Sequence, residues 1–91
     1  MTLSGVLYAL SDPMRLSIIK SLATLGEQPC GVLGLSVAKS TASHHFRVLR
    51  EAGVIQVKPE GTQYINSLRR EDMEARFPGL LDAILRASGP I

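Results

Sequence analysis

Lys39-Ser40-Thr41-Ala42-Ser43-His44-His45-Phe46-Arg47-Val48-Leu49-Arg50-Glu51-Ala52-Gly53 is the stretch whose reading decides the fold of this 91-residue chain. Ala42, Phe46 and Leu49 recur at i, i+4 and i+7, with Ala52 continuing the row, the spacing that lines one side of an α-helix. Gly53 supplies the stop, because glycine takes the left-handed conformation that ends helices without steric cost. The opposite side holds Ser40, Ser43, His44, Arg47 and Arg50. The expected helix over 39–52 thus has an inner face that fixes it to a body and an outer face that presents polar groups.

Downstream, Val54-Ile55-Gln56-Val57 and Tyr64-Ile65-Asn66-Ser67-Leu68 are short β-prone runs. Lys58 to Gln63 joins them with the turn chemistry of Pro59 and Gly61, so a hairpin is expected over 54–68. From Arg69 to Ala87 a stripe of Met73, Phe77, Leu80, Leu81, Ile84 and Leu85 reads as helix. Pro78 lacks the N–H for a helical hydrogen bond, which divides the segment into a short turn over 70–77 and a main helix over 78–87.

Upstream, Leu3, Leu7 and Leu10 share one side of a short first helix. Ser11-Asp12-Pro13 then offers a capping side chain followed by proline at the first helical position, where its missing N–H costs nothing. A second helix is expected over 13–24, burying Leu16, Ile19, Leu22 and Ala23 and ending near Gly26. Between it and Lys39, the punctuation by Pro29, Gly31 and Gly34 limits any helix to one or two turns. The resulting order of helix, helix, short helix, helix, hairpin, helix is mainly α with a small β-hairpin. It is the order of a winged helix-turn-helix, in one domain over 1–91.

The whole chain constrains its partners. With an apolar fraction of 45% but only 4% aromatics, the core is built from Leu, Ile, Val and Ala. A domain this small buries only roughly 60–65% of its unfolded surface, so burial shared with a second copy would stabilise it. Ten Lys and Arg against eight Asp and Glu give a net charge of +2. Arg15 and Lys20 balance Asp12 and Glu27 before residue 38, and the signs balance again after 68. The excess lies between, where Lys39, Arg47, Arg50 and Lys58 oppose Glu51 and Glu60. A lone cysteine, Cys30, excludes an intramolecular disulfide and suits a reducing compartment. No apolar stretch approaches the roughly 18–20 residues of a membrane span, and the start has no basic segment before an apolar run. A cytoplasmic protein without membrane contact is expected.

The clustered charge and the two-faced helix point to double-stranded DNA. Lys39, Ser40, Thr41, Ser43, His44 and Arg47 gather at the helix N-terminal end, where short hydroxyl side chains permit close approach and the helix dipole favours phosphate. Arg47 is long enough for a base edge or a phosphate. Lys58, Thr62 and Gln63 at the hairpin tip supply a second contact, along the backbone or in the minor groove.

Three motifs now stand in order: Leu10-Ser11-Asp12-Pro13-Met14-Arg15-Leu16, then Ser40 to Ile55, then Glu60-Gly61-Thr62. Together they resemble the ArsR family of winged-helix repressors, over most of the chain. The resemblance implies a homodimeric repressor whose first and last helices form the dimer interface, with Leu3, Leu7, Leu81, Ile84 and Leu85 as its residues. It also implies the 39–52 helix in the major groove, the hairpin as wing, and a pseudo-palindromic operator with half-sites about 10 bp apart.

Other chemistry fits poorly. Adjacent helix positions diverge by about 100°, so His44 and His45 cannot chelate one ion from one face, and His45 is expected to pack against the hairpin. Cys30 has no companion ligands, since the last helices offer acids such as Asp72, Glu74 and Asp82 but no histidine. No oriented Ser, His and acid set and no glycine-rich phosphate loop is present, so neither an enzyme nor a cofactor is expected. An effector is left undetermined. The rival reading is a winged-helix protein-interaction module that does not bind DNA.

Overall fold

A computed structural model describes residues 1–29 and 37–89. In chain order the elements are α1 (Leu3–Ala9), α2 (Pro13–Leu25), β1 (Gln28–Pro29), α3 (Lys39–Glu51), β2 (Ile55–Glu60), β3 (Gln63–Leu68), α4 (Arg70–Arg76) and α5 (Leu80–Ala87). Cys30 and the glycine-punctuated positions 31–36 lie outside the described residues, and with them the expectation of a helical turn or two there.

The caps are local and follow the residue types. Oδ2 of Asp12 accepts from the backbone N–H of Met14 at 2.9 Å and of Arg15 at 3.2 Å, with Pro13 opening α2. At the end of α3, Gly53 has φ +85°, its N–H bonds the Arg50 carbonyl at 3.0 Å, and the Val54 N–H bonds the Leu49 carbonyl at 3.1 Å. This pair of bonds is a Schellman motif, and the two positions whose side chains usually accompany it, Leu49 and Val54, are both fully buried in the core. The chain thus leaves the helix in a fixed direction, straight into the strands.

Two helices turn differently from their expected faces. α2 buries Arg15, Ile18, Ile19 and Leu22, a complete i, i+3, i+4, i+7 set, while Leu16 and Ala23 are half-buried. α1 buries Val6 and Ala9, leaving Leu3 48% and Leu7 46% exposed. Small side chains at the buried positions let this short helix lie close to its neighbours, and its leucines point away.

The expected hairpin is one part of a three-stranded antiparallel sheet in the order β1-β3-β2. β2 and β3 pair from Ile55↔Leu68 to Glu60↔Gln63, so the strands run further than the β-prone residues suggested and leave only Gly61 and Thr62 as the turn. Positive φ at Gly61 (+62°) and at no described non-glycine residue gives the II′ arrangement that matches strand twist. β2 is an edge strand, which is where Pro59 is tolerated. β1 adds Gln28↔Asn66 and Pro29↔Ile65, held also by the buried Asn66, whose Nδ2 donates to the Gln28 carbonyl at 3.4 Å.

Phe77, Pro78 and Gly79 separate α4 from α5 as the proline requires, and Glu74 Oε2 accepts from the Gly79 N–H at 3.1 Å. The core is Val6, Ala9, Leu10, Ile18, Ile19, Leu22, Phe46, Leu49, Val54, Ile55, Met73 and Leu81. α1, α2 and α3 each contribute at least two members, so α3 is held by the same core that holds α2 and the sheet.

Candidate nucleic-acid interface

α3 divides as its sequence periodicity demands. Phe46 and Leu49 are buried and Ala42 and Ala52 half-buried, while Lys39, Ser40, Thr41, Ser43, His44, Arg47 and Arg50 are all exposed. Fully burying Leu49 contributes about 1.5–3 kcal/mol to the packing of this inner face, independently of what the outer face touches. The N-cap is Ala38, which brings no side-chain oxygen to the first amides, and the first turn holds no acidic residue. Both features leave that end attractive to an anion.

The seat of α3 contains a group whose role was not read from the residues. Arg15 on α2 is 5% exposed. Its Nε donates to the Ala9 carbonyl at 2.7 Å and one terminal nitrogen to the Tyr8 carbonyl at 3.3 Å, both in the last turn of α1. The other terminal nitrogen lies 3.2 Å from Nδ1 of His45, in the middle of α3, and the guanidinium carbon sits 5.3 Å from the Tyr8 ring centroid. His45 therefore packs against the start of α2 rather than against the hairpin. Its Nδ1 is also 3.8 Å from Oδ2 of Asp12. Burial pushes the Asp12 carboxyl up, but the backbone hydrogen bonds from Arg15 and Met14, with the electrostatic attraction of the nearby His45 and Arg15 side chains, outweigh it and hold it below the usual carboxylate range. The available signal was positional: Arg15 precedes Ile18, Ile19 and Leu22 by three, four and seven, on the buried face.

His44 is exposed, its ring centroid 5.7 Å from that of His45 and its plane tilted by 54°. Neighbouring imidazoles thus differ in surroundings, one in solvent and one against the start of α2. Among the described residues no group of three His, Cys, Asp or Glu side chains could hold a metal. No helix among them is long and apolar enough to cross a membrane.

The wing side chains are all solvent-facing. Lys58, Glu60 and Gln63 share one face of the sheet by their register, with Thr62 in the turn, and all four are exposed. On α1 and α5 the expected interface residues are placed unequally. Leu3 and Leu7 lie open beside Tyr8, itself 62% exposed, and Ile84 and Leu85 are half-buried. Leu81 is 3% exposed and packs in the protomer's own core, because it opens α5 on the side facing the other helices.

This arrangement has known counterparts. Residues 10–58, from the end of α1 into the first wing strand, match the model of a helix-turn-helix domain family. The chain is 39% identical over 83 residues to YceK, an uncharacterized HTH-type transcriptional regulator of Bacillus subtilis, covering 87% of this chain and 82% of the relative. Among solved structures it is similar to the transcriptional repressor BigR from Xylella fastidiosa, with a TM-score of 0.73, 27% identity, and coverage of 97% of this chain and 87% of that one. An ArsR family transcriptional regulator superposes equally well, with a TM-score of 0.73, 21% identity, and 98% and 93% of the two chains covered.

Proposed function

The chain belongs to the helix-turn-helix transcriptional regulators and has the winged-helix fold of the ArsR type, and from that premise we propose that it is a cytoplasmic, homodimeric repressor acting by occupying its operator. The observation that carries this reading is the outer face of α3. It combines hydroxyls, an imidazole and two guanidinium groups, all exposed on a helix whose other side is locked into the core. In this reading α3 lies in the major groove. Ser40, Thr41 and Ser43 sit close to the backbone with Lys39 on phosphate, and His44 and Arg47 reach base edges. Lys58, Thr62 and Gln63 follow the flanking backbone or the minor groove from the wing.

The dimer half of the proposal rests on α1. Leu3, Leu7 and Tyr8 form an exposed apolar face on a protein with little surface to spare, and a two-fold copy would cover it together with Ile84 and Leu85. Two α3 helices would then address half-sites about one turn apart in a pseudo-palindrome. The similarity to BigR supports repression as the mode of regulation.

Fragments selected from the source genome by the purified protein, followed by anisotropy titration at several salt concentrations, test the function. Lys39, Arg47, Arg50 and Lys58 are exposed in each protomer. If Lys39, Arg50 and Lys58 contact phosphate in both half-sites while Arg47 is on a base edge, the log–log salt slope approaches about −5. A slope near zero, or no binding to any duplex at low salt, would favour a protein partner on the same surface.

A further inference from the structure

Among the described residues, Arg15 is the buried side chain that carries a permanent charge. Its position needs an explanation beyond packing, because a guanidinium is tolerated inside a protein only when its donors are answered. Here they are answered from two different helices. The Ala9 and Tyr8 carbonyls end α1, and Nδ1 of His45 belongs to the middle of α3. The guanidinium is planar and its donors diverge at fixed angles, so fixing two of them on α1 fixes the direction of the third. His45 is flanked by the exposed His44 and lies two residues before the exposed Arg47. A tilt of α3 about His45 therefore displaces the side chains that face outward.

We propose that Arg15 is a positioning residue for DNA binding, with a guanidinium that sets the angle of α3 against the end of α1 through the acceptor on His45. The inference rests on the reading that α3 is the helix that enters DNA. A contact geometry within about 0.5 Å is what a recognition surface requires; the packing of Phe46 and Leu49 is non-directional, and a directional bond narrows the angular freedom that such packing leaves. The hydrogen bond to His45 is such a bond. It forms when the imidazole carries its proton on Nε2 and leaves Nδ1 as acceptor.

The test separates the hydrogen bond from packing. His45→Asn places an amide oxygen where Nδ1 stands, whereas His45→Leu keeps the volume and removes the acceptor. By anisotropy on a selected duplex, His45→Asn is expected to bind within about threefold of the parent and His45→Leu to bind about tenfold more weakly, both with unchanged circular dichroism. Arg15→Met is expected to match His45→Leu, and the double variant to be no weaker than either single one within about twofold. Arg15→Lys, a point charge in place of a fork, is expected to fall on the weak side. Equal affinities for His45→Asn and His45→Leu, or losses that multiply in the double variant, would overturn the proposal. Should Arg15→Met unfold, the two His45 variants decide alone.

Imidazole nitrogen spectra of the free protein give a reading that needs no DNA. The Nδ1 resonance of His45 is expected to show an accepted hydrogen bond that Arg15→Lys alters, and a parent spectrum without it also overturns the link. Arg47→Ala separates the two layers. If it leaves affinity unchanged, α3 is not the DNA-facing helix and the proposal falls with that reading. If it weakens binding while His45→Leu does not, the positioning role alone falls.

Discussion

α1 and α3 pack against each other and each buries one face, yet their free faces are opposite in chemistry. α1 turns Leu3, Leu7 and Tyr8 to solvent, and α3 turns Lys39, Ser43, His44, Arg47 and Arg50. Apolar area left in water is unfavourable by about 25 cal/mol per Å², so the α1 face has a standing drive to find another surface. The α3 face has none, since its groups are satisfied by water and gain only where a polyanion replaces it. In the proposed reading, the first face suits a second copy of the chain and the second a specifically matched duplex.

The largest effect should come from the matched face. Arg47→Ala is expected to weaken DNA binding by about 1–3 kcal/mol per half-site, and by about twice that in a two-fold complex, with melting temperature and oligomeric state unchanged. Anisotropy and sedimentation on the same samples check it. A comparable loss of stability would mean that Arg47 is structural, erasing the distinction between the two faces.

Next is the apolar face. Leu7→Glu, at a position 46% exposed, is expected to shift sedimentation to the monomer and to lower DNA affinity by removing the second half-site, with secondary structure retained. A protein that sediments unchanged would deny α1 a role in assembly.

Gly53→Ala tests the junction between α3 and the wing. At φ +85° an alanine is strained, and its Cβ would stand 2.9 Å from Cε of Met1. A stability loss of about 1–2 kcal/mol by denaturant titration is expected. The smallest effect belongs to Asp12→Ala, about 1 kcal/mol near neutral pH through the lost cap. Because the folded carboxyl lies below its ordinary value, the cap's contribution is complete above about pH 4 and fades as pH falls through the lowered value. The gap between parent and variant should therefore close in acid, and a gap that widened there would contradict the bonding of Asp12.

What was legible in the residues was whatever one or two helical turns encode. The Asp12-Pro13 start of α2, the Gly53 end of α3, the two faces of α3 and the break at Pro78 each depend on side chains within a few positions of one another. What escaped depends on distant pairing. β1 is two residues long and exists because Asn66 and Ile65 lie beside it, which no alternation in the sequence could announce. The wing strands lengthened past Lys58 because cross-strand pairing outweighs the weak strand preference of Pro59 and Glu60. The outward turn of Leu3 and Leu7 was settled by which side of α1 could approach its neighbours most closely.

By itself, then, the sequence determined the helices, their caps and the polar outer face of α3, because backbone hydrogen bonding and side-chain periodicity are satisfied locally. Only the tertiary structure decided that Arg15 is buried and that His45 faces it across 30 positions of chain. A charge is admitted to the interior when acceptors from separate elements converge on it, and that convergence exists only after the chain has closed on itself.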